Sequence, residues 1–292
     1  MKAPRPFARV PSAVARRVNI TFEKYRLGNG LTVILHRDHS LPLVAVNLWY
    51  RVGSKDEKPG RTGFAHLFEH LMFTGSKHVP GNAIDLIMES AGGSNNADTE
   101  NDRTSYYDIA PAALLETLLW IEADRLTTLD EVTTRKQLDL QRDVVRNERR
   151  QQYENRPYGR AHLVIPEEMY PKSHPYHWPV IGSHRDLEAA TVADVQAFFR
   201  RYYVPGNASL VVAGDFHAAR ARKWIERYFG WIPRAPEPEH GAAPPAALAR
   251  AKVRVLRDRV QLPRVATRRA ASNPVSPRPE TSACISLGSA EA

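Results

Sequence analysis

Two histidines and a glutamate stand at a spacing that suits a zinc ion. His66 and His70 are four residues apart, so on a helix both imidazoles project from one face and can bind one Zn²⁺. Glu69 lies close to such a metal without having to bind it, and its carboxylate can take a proton from water there. The order His-x-x-Glu-His is a peptidase signature. A chance match on an amphipathic helix is the alternative, but Gly63 before the motif and the apolar neighbours of Glu69 favour the metal site.

A catalytic zinc site needs a third protein ligand and keeps one position open. The long charged stretch that follows supplies acidic candidates, and these are Glu131, Asp139, Asp143, Glu148 and Glu154. Spacing alone does not choose among them. Each could instead lie on a solvated helix face and pair with a cation one turn away, as such residues commonly do.

The elements that must position these residues follow from hydrophobic periodicity and turn residues. The predicted strands are rich in β-branched and aromatic residues, and they are 22–27, 31–35, 43–52, two strands within 94–110, and 210–214. The predicted helices are 63–73, 82–91, 112–126, 131–155, 158–170, 191–202 and 218–229. A loop is predicted at 171–186. This order predicts an α+β fold in which a mixed, mainly antiparallel sheet packs against several helices.

The charge distribution argues against a nucleic-acid partner. The chain has 292 residues and a formal net charge of +9, but the excess of basic residues lies in 1–17 and 250–292. The part between them is close to neutral, so the basic ends are weak support for a nucleic-acid or acidic-membrane partner.

The same sequence says little about the cellular compartment. Cys284 is the one cysteine, which excludes an internal disulfide framework. The start of the chain is basic but holds no apolar run long enough for a signal-peptide core, which slightly favours the cytoplasm. The apolar stretch 41–50 is far shorter than the roughly 20 residues of a membrane helix.

Five stretches in this chain resemble the insulinase/pitrilysin family of zinc peptidases, especially its short bacterial members and mitochondrial processing peptidase. The stretches are LGNGL at 27–31, GFAHLFEHLMF at 63–73, GGSNNADT at 92–99, RDVVRNERR at 142–150 and YYVPGNA at 202–208. They occur in the family's order and span roughly 20–235.

The resemblance implies a set of site residues. Zn²⁺ would be bound by His66, His70 and Glu148, with Glu69 as the catalytic base. Family members often carry a Glu that supports the metal ligands from seven residues before the third ligand, and this chain has Gln141 there. The family also pairs its peptide substrate with an edge strand beside the metal, and the substrate-binding positions this implies are Asn95, Asn96, Ala97 and Thr99.

Composition and the resemblance together predict the domain organisation. The segments are a flexible basic leader at 1–19, the zinc-peptidase N-terminal domain at 20–235, a Pro/Ala linker at 236–252, the start of a second homologous domain at 253–265, and an aberrant, disordered tail at 266–292. The tail suggests a truncated or frameshifted end.

Two functions are expected from these observations. The first is a zinc endopeptidase that acts on extended or unfolded peptides and needs a second-half subunit, or a homo-oligomer, to complete its site. The alternative is a non-catalytic remnant that binds zinc or peptide without turnover.

Overall fold

A computed structural model describes residues 20–241, 243–245, 251–269 and 282–289. Its main sheet has six strands in the order β1-β2-β6-β3-β5-β4. The strands are β1 Glu23–Arg26, β2 Thr32–Arg37, β3 Leu43–Tyr50, β4 Ser94–Thr99, β5 Thr104–Pro111 and β6 Ala208–Gly214. Only β2 and β6 are paired in parallel among these strands, and β4 forms an edge of the sheet.

Eight helices accompany this sheet in the described part of the chain. They are α1 Phe64–Leu71, α2 Ala83–Ser90, α3 Leu115–Val132, α4 Arg135–Arg149, α5 Arg160–Met169, α6 His184–Glu188, α7 Val192–Tyr202 and α8 Ala218–Phe229. The predicted α+β fold class is confirmed. The predicted loop 171–186 was wrong at its end, because Ser183 accepts a hydrogen bond from the backbone N–H of Asp186 at 3.1 Å and begins the short helix α6.

The core lies between the sheet and the helices. Strand β2 alternates as a half-buried sheet should, with Val33 and Leu35 buried. Helix α1 turns Leu67, Phe68 and Leu71 into this core. Burying that face fixes the rotation of α1 about its axis. The two histidines of the metal motif therefore lie at the edge of the core, half-buried.

Gly63 directly precedes helix α1, and the backbone conformation at this position favours glycine. Its φ of +87° lies in the left-handed region. A Cβ there would lie 2.9 Å from both Gly182 Cα and the carbonyl oxygen of Ile181. The glycine therefore allows the 181–182 turn to approach the start of the helix.

A second sheet of three strands forms from β7 Lys252–Asp258, β8 Arg264–Arg269 and β9 Ser282–Ser289, in the order β7-β9-β8. The structure differs here from the predicted disorder of 266–292, since 266–269 and 282–289 pair as strands. Strand pairing uses backbone groups, so the shortage of large apolar residues did not exclude it. The rest of that predicted tail and the predicted leader 1–19 lie outside the described residues.

None of the described helices combines the length and the apolar character that crossing a membrane requires.

Candidate metal centre

Three side chains converge between α1 and α4. The Nε2 atom of His66 lies 3.5 Å from Glu148 Oε2, and the Nε2 atom of His70 lies 3.4 Å from the same oxygen. The imidazole rings are 4.8 Å apart and nearly perpendicular. One donor atom from each of the three residues lies within 4.8 Å of the other two. Two elements far apart in sequence thus aim three metal-ligating groups at one point.

These distances fit a zinc ion better than they fit direct hydrogen bonds. Bonds of about 2.0–2.2 Å from Zn²⁺ to His nitrogen and carboxylate oxygen, at tetrahedral angles, place neighbouring ligand atoms roughly 3.3–3.5 Å apart. The two observed separations, 3.4 and 3.5 Å, match that edge length, whereas N–H···O hydrogen bonds are usually about 2.9–3.0 Å. The donor set of two imidazoles and one carboxylate also suits zinc.

The protonation states favour metal binding. Burial, followed by the proximity of His70, lowers the pKa of His66 to about 4, against an opposing effect of Glu148. His66 is therefore neutral at physiological pH, which is the form that binds metal. The pKa of Glu148 is lowered, chiefly by the adjacent imidazole of His70 and against the effect of its burial, so Glu148 is ionised. Nδ1 of His66 is buried and has no hydrogen-bond partner within the described chain, so no such bond selects its tautomer.

Glu69 lies on the same helix and is buried. The hydroxyl of Thr99 on β4 donates a hydrogen bond to its Oε2 atom. Burial raises the pKa of Glu69, and the Thr99 hydrogen bond opposes that rise. The Thr99 bond occupies one carboxylate oxygen and orients the other. A carboxylate with a raised pKa beside a metal centre has the character of a general base.

The N-terminus of α1 is capped from a distance by Glu57. Its carboxylate accepts hydrogen bonds from the backbone N–H of Gly63 at 3.0 Å and of Ala65 at 2.8 Å. These groups precede His66 directly, so Glu57 fixes the first turn of the metal-binding helix. Sequence reasoning missed this residue, because a charged Lys-Asp-Glu-Lys stretch at 55–58 resembles an exposed loop.

Helix α4 is held in place by arginines that precede and follow Glu148. Arg142 is buried and donates to the carbonyl oxygens of Leu187 at 2.8 Å and Ala190 at 2.7 Å. Two more arginines of α4 reach the same region: Arg146, which pairs with Glu188 at 2.8 Å, and Arg149, which donates to the carbonyl of Gly182. Together they fix the position from which Glu148 faces the histidines.

The other acidic candidates do not face the histidines. Each pairs with a basic side chain instead, which is the role expected for a helix-surface carboxylate. The pairs are Glu131 with Lys77 at 3.1 Å, Asp139 with Arg135 at 2.9 Å, Asp143 with Arg146 at 3.9 Å, and Glu154 with Arg149 at 2.9 Å.

The remaining predicted site residues lie on β4 and α4. Strand β4 packs beside α1 and is an edge strand. Asn95 donates to Asp85 at 3.0 Å, Asn96 is exposed, and Ala97 is buried. Gln141 is half-buried on α4, seven residues before Glu148. The roles of these four residues in substrate binding and metal tuning, and that of Thr99 in substrate binding, stay predictions.

Comparison with known proteins gives the family. The sequence model of the insulinase family, peptidase family M16, matches residues 32–174, and the model of the peptidase M16 inactive domain matches residues 189–276. The chain belongs to peptidase family M16. The first match spans the His66–His70 motif and Glu148, so the geometric cluster lies within the matched region.

Two curated relatives show how much of their own length this chain matches. Zinc protease PqqE of Helicobacter pylori is 32% identical over 208 residues, covering 71% of this chain and 46% of the relative. The beta subunit of the mitochondrial-processing peptidase of Blastocladiella emersonii is 27% identical and covers 72% of this chain and 44% of the relative. The chain thus spans about half the length of these curated relatives.

Solved structures of M16 peptidases share this fold. A protease from Helicobacter pylori superimposes with a TM-score of 0.79 at 29% identity, over 85% of this chain and 60% of that one. The first half of the periplasmic protease PqqL from Escherichia coli has a TM-score of 0.74 at 23% identity, over 84% and 54%. The second similarity concerns the fold alone.

Proposed function

We propose that this chain is a zinc-dependent endopeptidase domain that hydrolyses peptide bonds in extended or unfolded peptides. The observation that carries the proposal is the convergence of His66, His70 and Glu148, with ligand separations suited to zinc, next to the buried Glu69. Membership of peptidase family M16 supports the same reaction class.

The residues of the chain divide the reaction between them. His66, His70 and Glu148 would hold Zn²⁺. When bound with one coordination position left open, this ion would activate water and polarise a carbonyl. Glu69 takes the proton from the attacking water and then delivers it to the departing amide nitrogen. Thr99 keeps the Glu69 carboxylate in place during both transfers. The edge of β4 offers unpaired backbone groups to an extended peptide, which gives affinity without strict sequence choice.

The complete enzyme is proposed to need a second half, from a partner subunit or from a further domain. Glu148 and His70 are both partly exposed to solvent, so the centre faces outward. A second half over this face would exclude water and add groups that orient the scissile carbonyl. The length of the curated relatives, about twice that of the matched region, supports this proposal.

The substitution Glu69→Gln tests the reaction. The amide keeps the shape of the side chain but cannot accept a proton, so we expect zinc content to be unchanged and peptide cleavage to fall by at least about 100-fold. Glu131→Gln, an exposed change of the same type on α3, is the control and should keep full activity. The assay uses an unstructured fluorogenic peptide, with a matched second-half protein added.

The outcomes separate the two functions. Equal cleavage by wild type and Glu69→Gln would remove Glu69 as the base. Loss of zinc in that variant would make Glu69 a ligand. Stoichiometric zinc with no cleavage under any condition would favour the non-catalytic alternative.

A further inference from the structure

A cavity of about 660 Å³ opens beside the metal centre. Glu148 forms part of its wall, so the cavity adjoins the proposed zinc ligands. The other wall residues come from the turn between α4 and α5, from α5 itself and from β8, and those that matter here are Tyr153, Arg156, Tyr158, His162 and Arg264. We call this space the basic cavity.

The wall of the basic cavity carries more positive than negative charge, since Arg156 and Arg264 outnumber its one acidic residue, Glu148. Arg156 and Arg264 are exposed, and neither forms a salt bridge with any residue that the structure describes. The imidazole of His162 also lines the cavity. The nearby carboxylates have other partners, since Glu154 pairs with Arg149 at 2.9 Å and Asp258 accepts a backbone N–H at 2.9 Å.

Tyr158 fixes the far wall of the basic cavity. It is the one non-glycine residue with a positive φ, +62°, among the described residues. Its N–H donates to Asp258 at 2.9 Å, and its hydroxyl donates to the carbonyl oxygen of Leu262 at 2.8 Å. The guanidinium of Arg264 lies 5.7 Å from its ring centre, within range of a cation–π contact. A strained residue thus anchors the 258–264 segment and places Arg264 at the cavity.

We propose that the basic cavity binds an acidic side chain of the peptide substrate, at a residue close to the scissile bond. This inference rests on the proposed peptidase function, because the cavity shares Glu148 with the metal centre. Its volume suits a side chain with its adjoining backbone. Guanidinium groups bind carboxylates through paired, charge-assisted hydrogen bonds. Arg156 and Arg264 would therefore make this chain selective for peptides with Glu or Asp near the cleaved bond.

Peptide binding tests the inference without requiring cleavage. The protein is the full zinc-loaded chain carrying Glu69→Gln, which binds but does not hydrolyse. The probes are two peptides of Ala, Gly and Leu that differ in one central residue, Glu or Gln, with fluorescein on the N-terminal amine and an amidated C-terminus. Affinities are measured by fluorescence anisotropy at low and high salt.

We expect the Glu peptide to bind about 5-fold more tightly than the Gln peptide, a modest preference because both arginines are exposed. Added salt should reduce that preference. Arg156→Glu and Arg264→Glu should each abolish or invert it. Arg220→Glu on α8, which makes the same charge change but does not line the cavity, should keep it.

The inference is overturned by equal binding of the two peptides, by no binding of either, or by an equal loss in Arg220→Glu, which would indicate a general effect of net charge. The proposed function is judged separately. A wild-type chain that never cleaves would contradict the peptidase proposal. The charge preference in binding would still be tested by the Arg156 and Arg264 variants.

Discussion

At the scale of single residues, Glu57 and Glu69 are two buried carboxylates that serve the same helix in different ways. Glu69 faces the metal centre and is held by Thr99. Glu57 lies behind the helix start, where the N–H groups of Gly63 and Ala65 are its donors. A buried carboxylate is costly unless such donors compensate for lost hydration, so both positions are sensitive to substitution.

Burial raises the pKa of Glu57 to about 8, while the backbone donors of Ala65 and Gly63 oppose the rise. In the unfolded chain this pKa is about 4.3. Between those values the folded state binds more protons than the unfolded state, so the free energy of unfolding falls as pH increases. We expect wild type to lose on the order of 2–4 kcal/mol relative to Glu57→Gln between pH 5 and pH 8.

Urea unfolding of both proteins at several pH values measures this difference. The Glu57→Gln variant lacks the titrating group and is the reference for wild type. Parallel stability curves for the two proteins across this range would show that Glu57 stays ionised in the folded state.

At the scale of elements, Arg142 connects α4 to the 187–190 segment. Its guanidinium is buried and donates to two carbonyl oxygens there. Arg142→Met keeps the apolar stem but leaves both acceptors unpaired, so we expect a loss of about 2–4 kcal/mol in the free energy of unfolding. Arg135→Met is a matched control on the same helix, since Arg135 is exposed and pairs with Asp139 only at the surface. That control should cost less than about 1 kcal/mol.

Chemical denaturation of the two variants gives both numbers. A loss in Arg142→Met no larger than in Arg135→Met would mean that the buried hydrogen bonds of Arg142 do not hold α4 in place.

The elements that sequence predicts well are those with local signals. Thr191 and Asp194 form a capping box at the start of α7, a signal that their three-residue spacing carries, and Gly30 provides the positive φ of the first hairpin. The insertion of β6 between β2 and β3 was not predicted, because pairing across about 170 residues leaves no local pattern.

The same division applies within the site. The i,i+4 spacing identified His66 and His70, since both lie on one helix. Glu148 lies on a different helix, so spacing left it among five acids until the family resemblance selected it. Glu57 and Arg142 act on backbone groups of distant segments, and no side-chain motif marks such contacts.

At the scale of the whole molecule, the metal centre lies on an open face. Glu148 and His70 are partly exposed, and the chain spans about half the length of its curated relatives. We expect purified monomer alone to cleave an unstructured peptide weakly, and a second-half protein to raise turnover. Removing zinc with a chelator should abolish the activity in both cases. Robust turnover by monomer of verified size, sensitive to chelator and to Glu69→Gln, would contradict this expectation.

The central claim is that His66, His70 and Glu148 bind one zinc ion, and competition titration of the metal-free chain with a chromophoric zinc chelator tests it most directly. We predict one zinc per wild-type chain and a loss of affinity of at least about 100-fold in Glu148→Ala, since removing a ligand should cost at least as much as removing a group that hydrogen-bonds to a ligand. Asp143→Ala, an exposed acid on the same helix, should bind zinc as wild type does. Unchanged affinity in Glu148→Ala would contradict the account.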